Sequence, residues 1–204
     1  MPDITLHHPP DPLIALWAEL AAADARSIAR NSGAGLEGEA LRLCVAGKIL
    51  NINIRERAIT VAADKTPVPF LWQLLALQYL LRAQDLPLAG RWVNPLELAG
   101  GDFFFRGPHA FKMGPLEERF GRDREGFIQV GKQLGGHPLD LADASFTLPA
   151  LPRIPAAYLL WCGDEEFPAK VNVLLDATAD QQLPLDMIWT LVNLVNKQLI
   201  ILSS

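Results

Sequence analysis

The sequence predicts an α+β fold, a single domain in which a mainly antiparallel sheet is packed by about four helices. Around residues 41–61 and 156–175, apolar residues alternate with polar ones in short segments, which is typical of strands. The first strands are joined by connections too short for a parallel crossover, so we expect antiparallel pairing. Four longer segments carry apolar residues at helical spacing: 12–30, 70–81, 115–134 and 184–199.

Length and charge restrict the class of protein. A chain of 204 residues with half its residues apolar predicts one domain with a substantial core. The net charge of −5 provides no broad cationic surface for nucleic acid. The first residues lack a signal-peptide pattern, and the apolar run at 70–81 is shorter than the roughly 20 residues a bilayer requires. We therefore predict a cytoplasmic protein with neither nucleic acid nor membrane as partner, and the sequence leaves its oligomeric state open.

The first half of the chain alternates between helix and strand. Residues 1–10 form a predicted flexible lead-in, because adjacent prolines favour extended chain. Asp11 and Pro12 provide a cap and a first helical residue, and Gly33 provides the stop. Three short strands follow as far as Val61. The helix over 70–81 is apolar on nearly all sides, which predicts a buried central position.

The second half contains the less regular elements. Gly100 and Gly101 permit a tight turn or a close backbone approach. Phe103–Phe105 follow, and three consecutive rings cannot all face one core from a strand, so at least one ring needs another partner. That partner could be a ligand, a subunit or a covering loop, and the covering loop is the leading candidate. Three glycines weaken the helix over 115–134, which is compatible with a broken or mobile helix and with a poor helix held by packing. Strands at 156–161 and 171–175 are predicted to form a hairpin.

The connection of that hairpin is the chemically distinctive segment, and we call Trp161–Pro168 the acidic–aromatic loop. It places Asp164, Glu165 and Glu166 between Trp161 and Phe167. Two unit charges 4 Å apart repel by about 4 kcal/mol at an effective dielectric near 20. The three carboxylates are therefore either solvated, with Asp164 fixing the turn, or matched by a cation. That cation is a basic partner or, alternatively, a hard metal ion.

Recognisable catalytic motifs are missing from the sequence. There is no dinucleotide-binding, phosphate-loop, zinc-protease or nucleophile-elbow pattern. Cys44 and Cys162 belong to no C-x-x-C pair, and His109 and His137 have no visible partner. This pattern favours a protein that binds over one that catalyses, although it leaves the enzyme question open.

Several motifs resemble one prokaryotic family. The sequence Trp-x-Gly-Asp-Glu-Glu-Phe-Pro at 161–168, followed by Leu175-Asp176, resembles the signature of domain of unknown function family 3786. The family pattern also matches residues further upstream: Gly90-x-Trp92, Glu97, Gly100-Gly101, and Asp143 before Phe146. The resemblance covers roughly residues 17–199. It implies an anaerobic setting, and some relatives carry an added iron–sulfur domain for which this chain lacks cysteines.

Three hypotheses follow. The leading hypothesis is a binding or accessory protein for a cofactor-like molecule, of the corrinoid or tetrapyrrole class suggested by the anaerobic setting, or for a partner protein. The alternative is a metal-assisted hydrolase or transferase using Asp164, Glu165 and Glu166 with Asp176, in which Asp164, Glu166 and Asp176 would hold the metal. In the third hypothesis, which is purely structural, the loop is an interface for self-association. The predicted ligand-binding residues are Trp92, Gly100, Gly101, Trp161, Asp164, Glu165, Glu166 and Phe167.

Overall fold

A computed structural model describes residues 12–203, and it confirms the α+β class. Its strands form two antiparallel sheets where we predicted one. The predicted lead-in lies outside the described residues. The strands are β1 (Gly35–Glu37), β2 (Ala40–Val45), β3 (Lys48–Asn53), β4 (Ala58–Val61), β5 (Trp92–Val93), β6 (His137–Leu139), β7 (Ala144–Leu151), β8 (Ile154–Trp161) and β9 (Lys170–Asp176). Sheet A has the order β1-β2-β3-β4, and sheet B the order β5-β9-β8-β7-β6.

The described residues form eight α-helices, more than the four expected. The excess comes from two predicted helices that are each broken in two and from two additional helices of a single turn. Short 3-10 turns lie at Pro95–Glu97 and Gly107–His109. The helices are α1 (Pro12–Ala22), α2 (Ala25–Ser32), α3 (Phe70–Arg82), α4 (Gly101–Phe104), α5 (Gly114–Phe120), α6 (Arg124–Gln133), α7 (Ala179–Gln182) and α8 (Leu185–Leu202).

Both helix breaks have a local cause. Asp24 caps α2 by accepting a hydrogen bond from the Ser27 backbone N–H at 2.9 Å, which separates α1 from α2. Asp123 caps α6 in the same way through the Gly126 N–H at 2.8 Å, which separates α5 from α6. As predicted, α2 ends at Gly33, whose φ of 71° lies in the left-handed region.

One hydrophobic core is shared by both sheets. On sheet B, Phe146 stacks on Tyr158 with ring centroids 5.6 Å apart, and Phe127 of α6 packs on Phe146 at 4.9 Å. The Tyr158 hydroxyl donates to Asn196 Oδ1 of α8 at 2.8 Å, so the buried tyrosine has a partner. Helices α6 and α8 therefore pack on this face of sheet B.

By length and composition, α8 is apolar enough to cross a membrane. In this structure, 56% of it is buried against the rest of the protein. Its apolar character is therefore explained by its position as the core helix behind sheet B.

Tyr79 joins three elements by hydrogen bonds at a fully buried position. Its hydroxyl donates to the Ser32 carbonyl at 2.7 Å and accepts from the Arg153 N–H at 2.9 Å. We expect Tyr79→Phe to lower the free energy of unfolding by about 1–3 kcal/mol, because two backbone groups lose their partner. Urea denaturation measures this; a loss below about 0.5 kcal/mol would mean that water replaces the hydroxyl.

Candidate functional site

The acidic–aromatic loop connects β8 to β9, as the sequence predicted. The two strands pair antiparallel up to Trp161 and Lys170. Asp164 forms the turn: its Oδ1 accepts hydrogen bonds from the N–H groups of Phe167 at 2.7 Å and Glu166 at 2.8 Å. The Phe167 and Glu166 N–H donors hold the pKa of the Asp164 carboxyl below its usual range. Asp164 thus fixes the turn, as expected for the alternative in which the three carboxylates are solvated rather than matched by a cation.

A second set of contacts fastens the base of the loop to the rest of the protein. The Gly163 N–H donates to the Gly121 carbonyl at 3.0 Å, and the Cys162 N–H donates to Asp143 Oδ2 at 2.9 Å. Arg124 donates from Nε to Cys162 Sγ at 3.3 Å and forms an ion pair with Asp143 at 3.4 Å. The loop is therefore anchored on two sides, by the α5–α6 junction and by the residue preceding β7.

The α5–α6 junction braces the loop. Glu117 Oε1 accepts a hydrogen bond from the Val171 N–H at 3.0 Å, just beyond the loop. A Cβ added at Gly121 would lie 2.6 Å from the Ala169 Cβ, so only glycine permits this close approach. Sequence reasoning identified the glycine-weakened helix here but not its contact with the loop.

The outer part of the loop projects into solvent. Phe167 is 67% exposed and Trp161 38% exposed, and the side chains of Glu165 and Glu166 are exposed as well. Within residues 12–203, neither glutamate side chain forms an ion pair or an intramolecular hydrogen bond. Their mutual repulsion is therefore screened by water.

A cleft lies beside the loop rather than beneath its acids. It has a volume of about 330 Å³ and separates the loop from the α5–α6 junction. Asp164 and Phe167 line it, whereas Trp161, Glu165 and Glu166 do not. Carboxylates and guanidinium groups both contribute to the opposite wall, where Arg119 pairs with Asp123 at 3.1 Å. The cleft is thus of mixed charge and does not collect the three predicted acids.

The structure separates the alternative metal set, because Asp176 lies at the end of β9 that is away from the loop. Asp176 lies six positions along the strand from Lys170 at the loop, a distance of about 20 Å. Asp176 is 3% exposed, and its carboxylate accepts from the N–H groups of Ala89, Gly90 and Thr178 and from the Thr178 hydroxyl. Burial acts to raise its pKa, but these hydrogen bonds outweigh burial and lower it. In the described part of the chain, no group of three or more His, Cys, Asp or Glu residues is placed to hold a metal ion.

Trp92 lies at the Asp176 end of sheet B, whereas Gly100 and Gly101 lie at the start of α4. Trp92 pairs with Asp176 in the ladder between β5 and β9 and is half-buried. Gly101 packs so closely on the Pro95 carbonyl that an added Cβ would overlap it, which confirms the predicted close backbone approach. None of these three predicted ligand-binding residues lines the cleft beside the acidic–aromatic loop.

The three phenylalanines lie at the end of a short helix rather than in a strand, with Phe103 and Phe104 in α4 and Phe105 as the C-terminal cap. Phe105 is buried, and Phe104 stacks on His109 with ring centroids 4.4 Å apart. Phe103 is 90% exposed. The additional partner that we predicted for one of these rings is thus the His109 ring.

We expect Asp164→Ala to loosen the loop without unfolding the protein. In the parent, the Asp164 carboxylate accepts hydrogen bonds from the N–H groups of Glu166 and Phe167 and so fixes the exposed turn. The substitution removes this acceptor. Amide hydrogen exchange at Phe167 should accelerate at least about tenfold, while the melting temperature changes by only a few degrees. Unchanged exchange at Phe167 would show that the anchors at the base are sufficient to hold the turn.

The fold and the site together define an α+β protein with two antiparallel sheets and a braced, solvent-exposed acidic–aromatic loop. The chain belongs to the DUF3786 family, a domain of unknown function, whose model matches residues 24–198. No curated protein and no solved structure matches the chain.

Proposed function

We propose that this is a cytoplasmic binding or accessory protein without chemistry of its own, and that its acidic–aromatic loop docks on a partner protein. The partner surface would carry lysine or arginine side chains around an apolar depression. The observation that carries the proposal is the 67% exposure of Phe167 on an anchored loop, beside two glutamates that have no partner in the described chain.

Each part of the loop suits docking on a protein. An exposed ring on a fixed backbone loses little conformational entropy on binding, and aromatic anchors dominate the binding energy of many interfaces. Glu165 and Glu166 flank the ring in sequence and would steer a cationic surface towards it. Because the Asp164 carboxylate already accepts the hydrogen bonds that form the turn, Glu165 and Glu166 are the acids available to a partner.

A protein partner is favoured over a corrinoid-like or tetrapyrrole-like cofactor. The adjoining cleft, about 330 Å³, lies at the lower end of the roughly 300–1,000 Å³ typical of small-molecule sites. Its wall includes charged side chains from both Glu117 and Arg119, whereas cofactor sites are mostly apolar.

Photocrosslinking tests the proposal. Benzoylphenylalanine would replace Phe167 in cells that carry the protein natively, and adducts would be identified by mass spectrometry. Phe103 provides the matched control, because it is an exposed ring on another surface. We expect a defined protein adduct from position 167, none from position 103, and loss of the adduct in the Glu165→Lys/Glu166→Lys background.

Two outcomes would contradict the proposal. The first is the absence of any adduct from position 167 in an otherwise stable protein. The second is the same set of adducts from positions 167 and 103, since this would indicate non-specific contact by exposed rings.

A further inference from the structure

A second surface complements the acidic–aromatic loop, and it lies on the same chain. We call it the lysine-rimmed groove: an apolar hollow of about 290 Å³ between α5 and α8. Leu116 and Ile200 contribute its apolar lining, and Lys112 and Lys197 lie at its exposed edge. None of the residues that line the groove is acidic.

The groove and the loop match in chemistry. The loop presents the largely exposed Phe167 ring next to two unpaired carboxylates, and the groove presents an apolar hollow next to two exposed ammonium groups. Ile201, which is 52% exposed, follows Lys197 by four residues and extends the apolar surface along α8. An aromatic side chain with flanking carboxylates is therefore the kind of group that this groove would accept.

The positions of the two surfaces permit a reciprocal contact. The groove includes Pro115 at the start of α5, and the loop is held by Gly121 just after its end. The seven residues of α5 span only about 10 Å. A two-fold axis near the middle of α5 would bring the loop end of α5 in one copy to the groove end of α5 in the other, which is the isologous arrangement of most dimers.

We infer that the partner of the acidic–aromatic loop is a second copy of this chain, with Phe167 inserted into the lysine-rimmed groove and Glu165 and Glu166 opposite Lys112 and Lys197. This inference rests on the proposed function and names the partner. Both surfaces are small, so the dimer should be weak and should dissociate as salt screens the charge pairs.

Charge reversal provides the test, by sedimentation of the purified chain at 50 mM and 500 mM salt. The parent should dimerise, more weakly at high salt. Glu165→Lys/Glu166→Lys and Lys112→Glu/Lys197→Glu should each associate at least about tenfold more weakly. Mixing the two variants should restore dimers, since both contacts of the heterodimer are again between opposite charges. Phe103→Ala should dimerise like the parent, and Phe167→Ala should not.

Failure of this inference can be distinguished from failure of the proposed function. A parent that stays monomeric at about 100 μM, or variants whose mixture remains monomeric, would overturn the second-copy assignment. A crosslink from position 167 to a different protein would then leave the docking function standing. Unchanged melting temperatures would exclude misfolding of the variants as the cause.

Discussion

Asp176→Ala should lower the free energy of unfolding by about 3–5 kcal/mol, the largest effect of any single carboxylate in the described chain. The carboxylate is buried and accepts four hydrogen bonds, three of them from the backbone of Ala89, Gly90 and Thr178. Its removal leaves those donors without partners, and each donor that water cannot reach lowers the free energy of unfolding by roughly 1–3 kcal/mol. Chemical denaturation of the parent and the variant measures the difference.

The matched control is Asp180→Ala, which removes a carboxylate that accepts a single backbone hydrogen bond, from Ala99 at 2.8 Å. It should cost no more than about 1 kcal/mol. Equal losses in the two variants would contradict the role assigned to Asp176.

Asp176 also predicts a pH dependence of stability. Its pKa is lowered in the folded protein, so its contribution is complete above the unfolded value near 3.9 and is lost as the pH falls through the folded pKa. Between about pH 4 and pH 2, Asp176→Asn should therefore lose stability less steeply than the parent. If the free energy of unfolding fell equally steeply with pH in the parent and in the variant, other carboxylates would account for the acid sensitivity.

Gly101→Ala should destabilise the protein by about 2–4 kcal/mol. An added Cβ would overlap the Pro95 carbonyl, which is backbone and cannot rotate away as a side chain would. The expected result is a clear fall in melting temperature with unchanged behaviour of the acidic–aromatic loop. This would identify Gly101 as a packing residue rather than the ligand contact that the sequence suggested.

Gly114→Ala serves as the control for Gly101. No atom lies within 4 Å of the Cβ that would be added at Gly114, and the residue begins α5, where alanine is favourable. The variant should be neutral or slightly stabilised. A comparable loss at both positions would show that the effect does not come from the overlap with Pro95.

Local features of this fold could be predicted from the sequence. The turn at Asp164, the stop at Gly33 and the hairpin of β8 and β9 each depend on residues close together in the chain, where side-chain chemistry and backbone freedom decide. The break before Asp24 was missed, although an aspartate ahead of alanine is a recognisable cap.

Long-range contacts could not be predicted in the same way. Asp176 was predicted as a possible metal ligand because two of the four donors that occupy it lie 86 and 87 residues away, at Gly90 and Ala89. The contact between Arg124 and Cys162 spans 38 residues. Alternation of apolar residues predicts which segments are strands, but it carries no information about which strands share a sheet. For that reason the division into sheets A and B was not anticipated.

Cys162 lies at the base of the acidic–aromatic loop, where a fluorescent label on its thiol would report on the loop. Maleimide reagents react through the thiolate, and burial raises the pKa of the other cysteine, Cys44, which slows its labelling. Since both cysteines are partly buried, the substitution Cys44→Ser would restrict a single fluorophore to Cys162, next to the turn. The emission of such a probe would follow the arrival of a partner in real time, without any substitution in the turn itself.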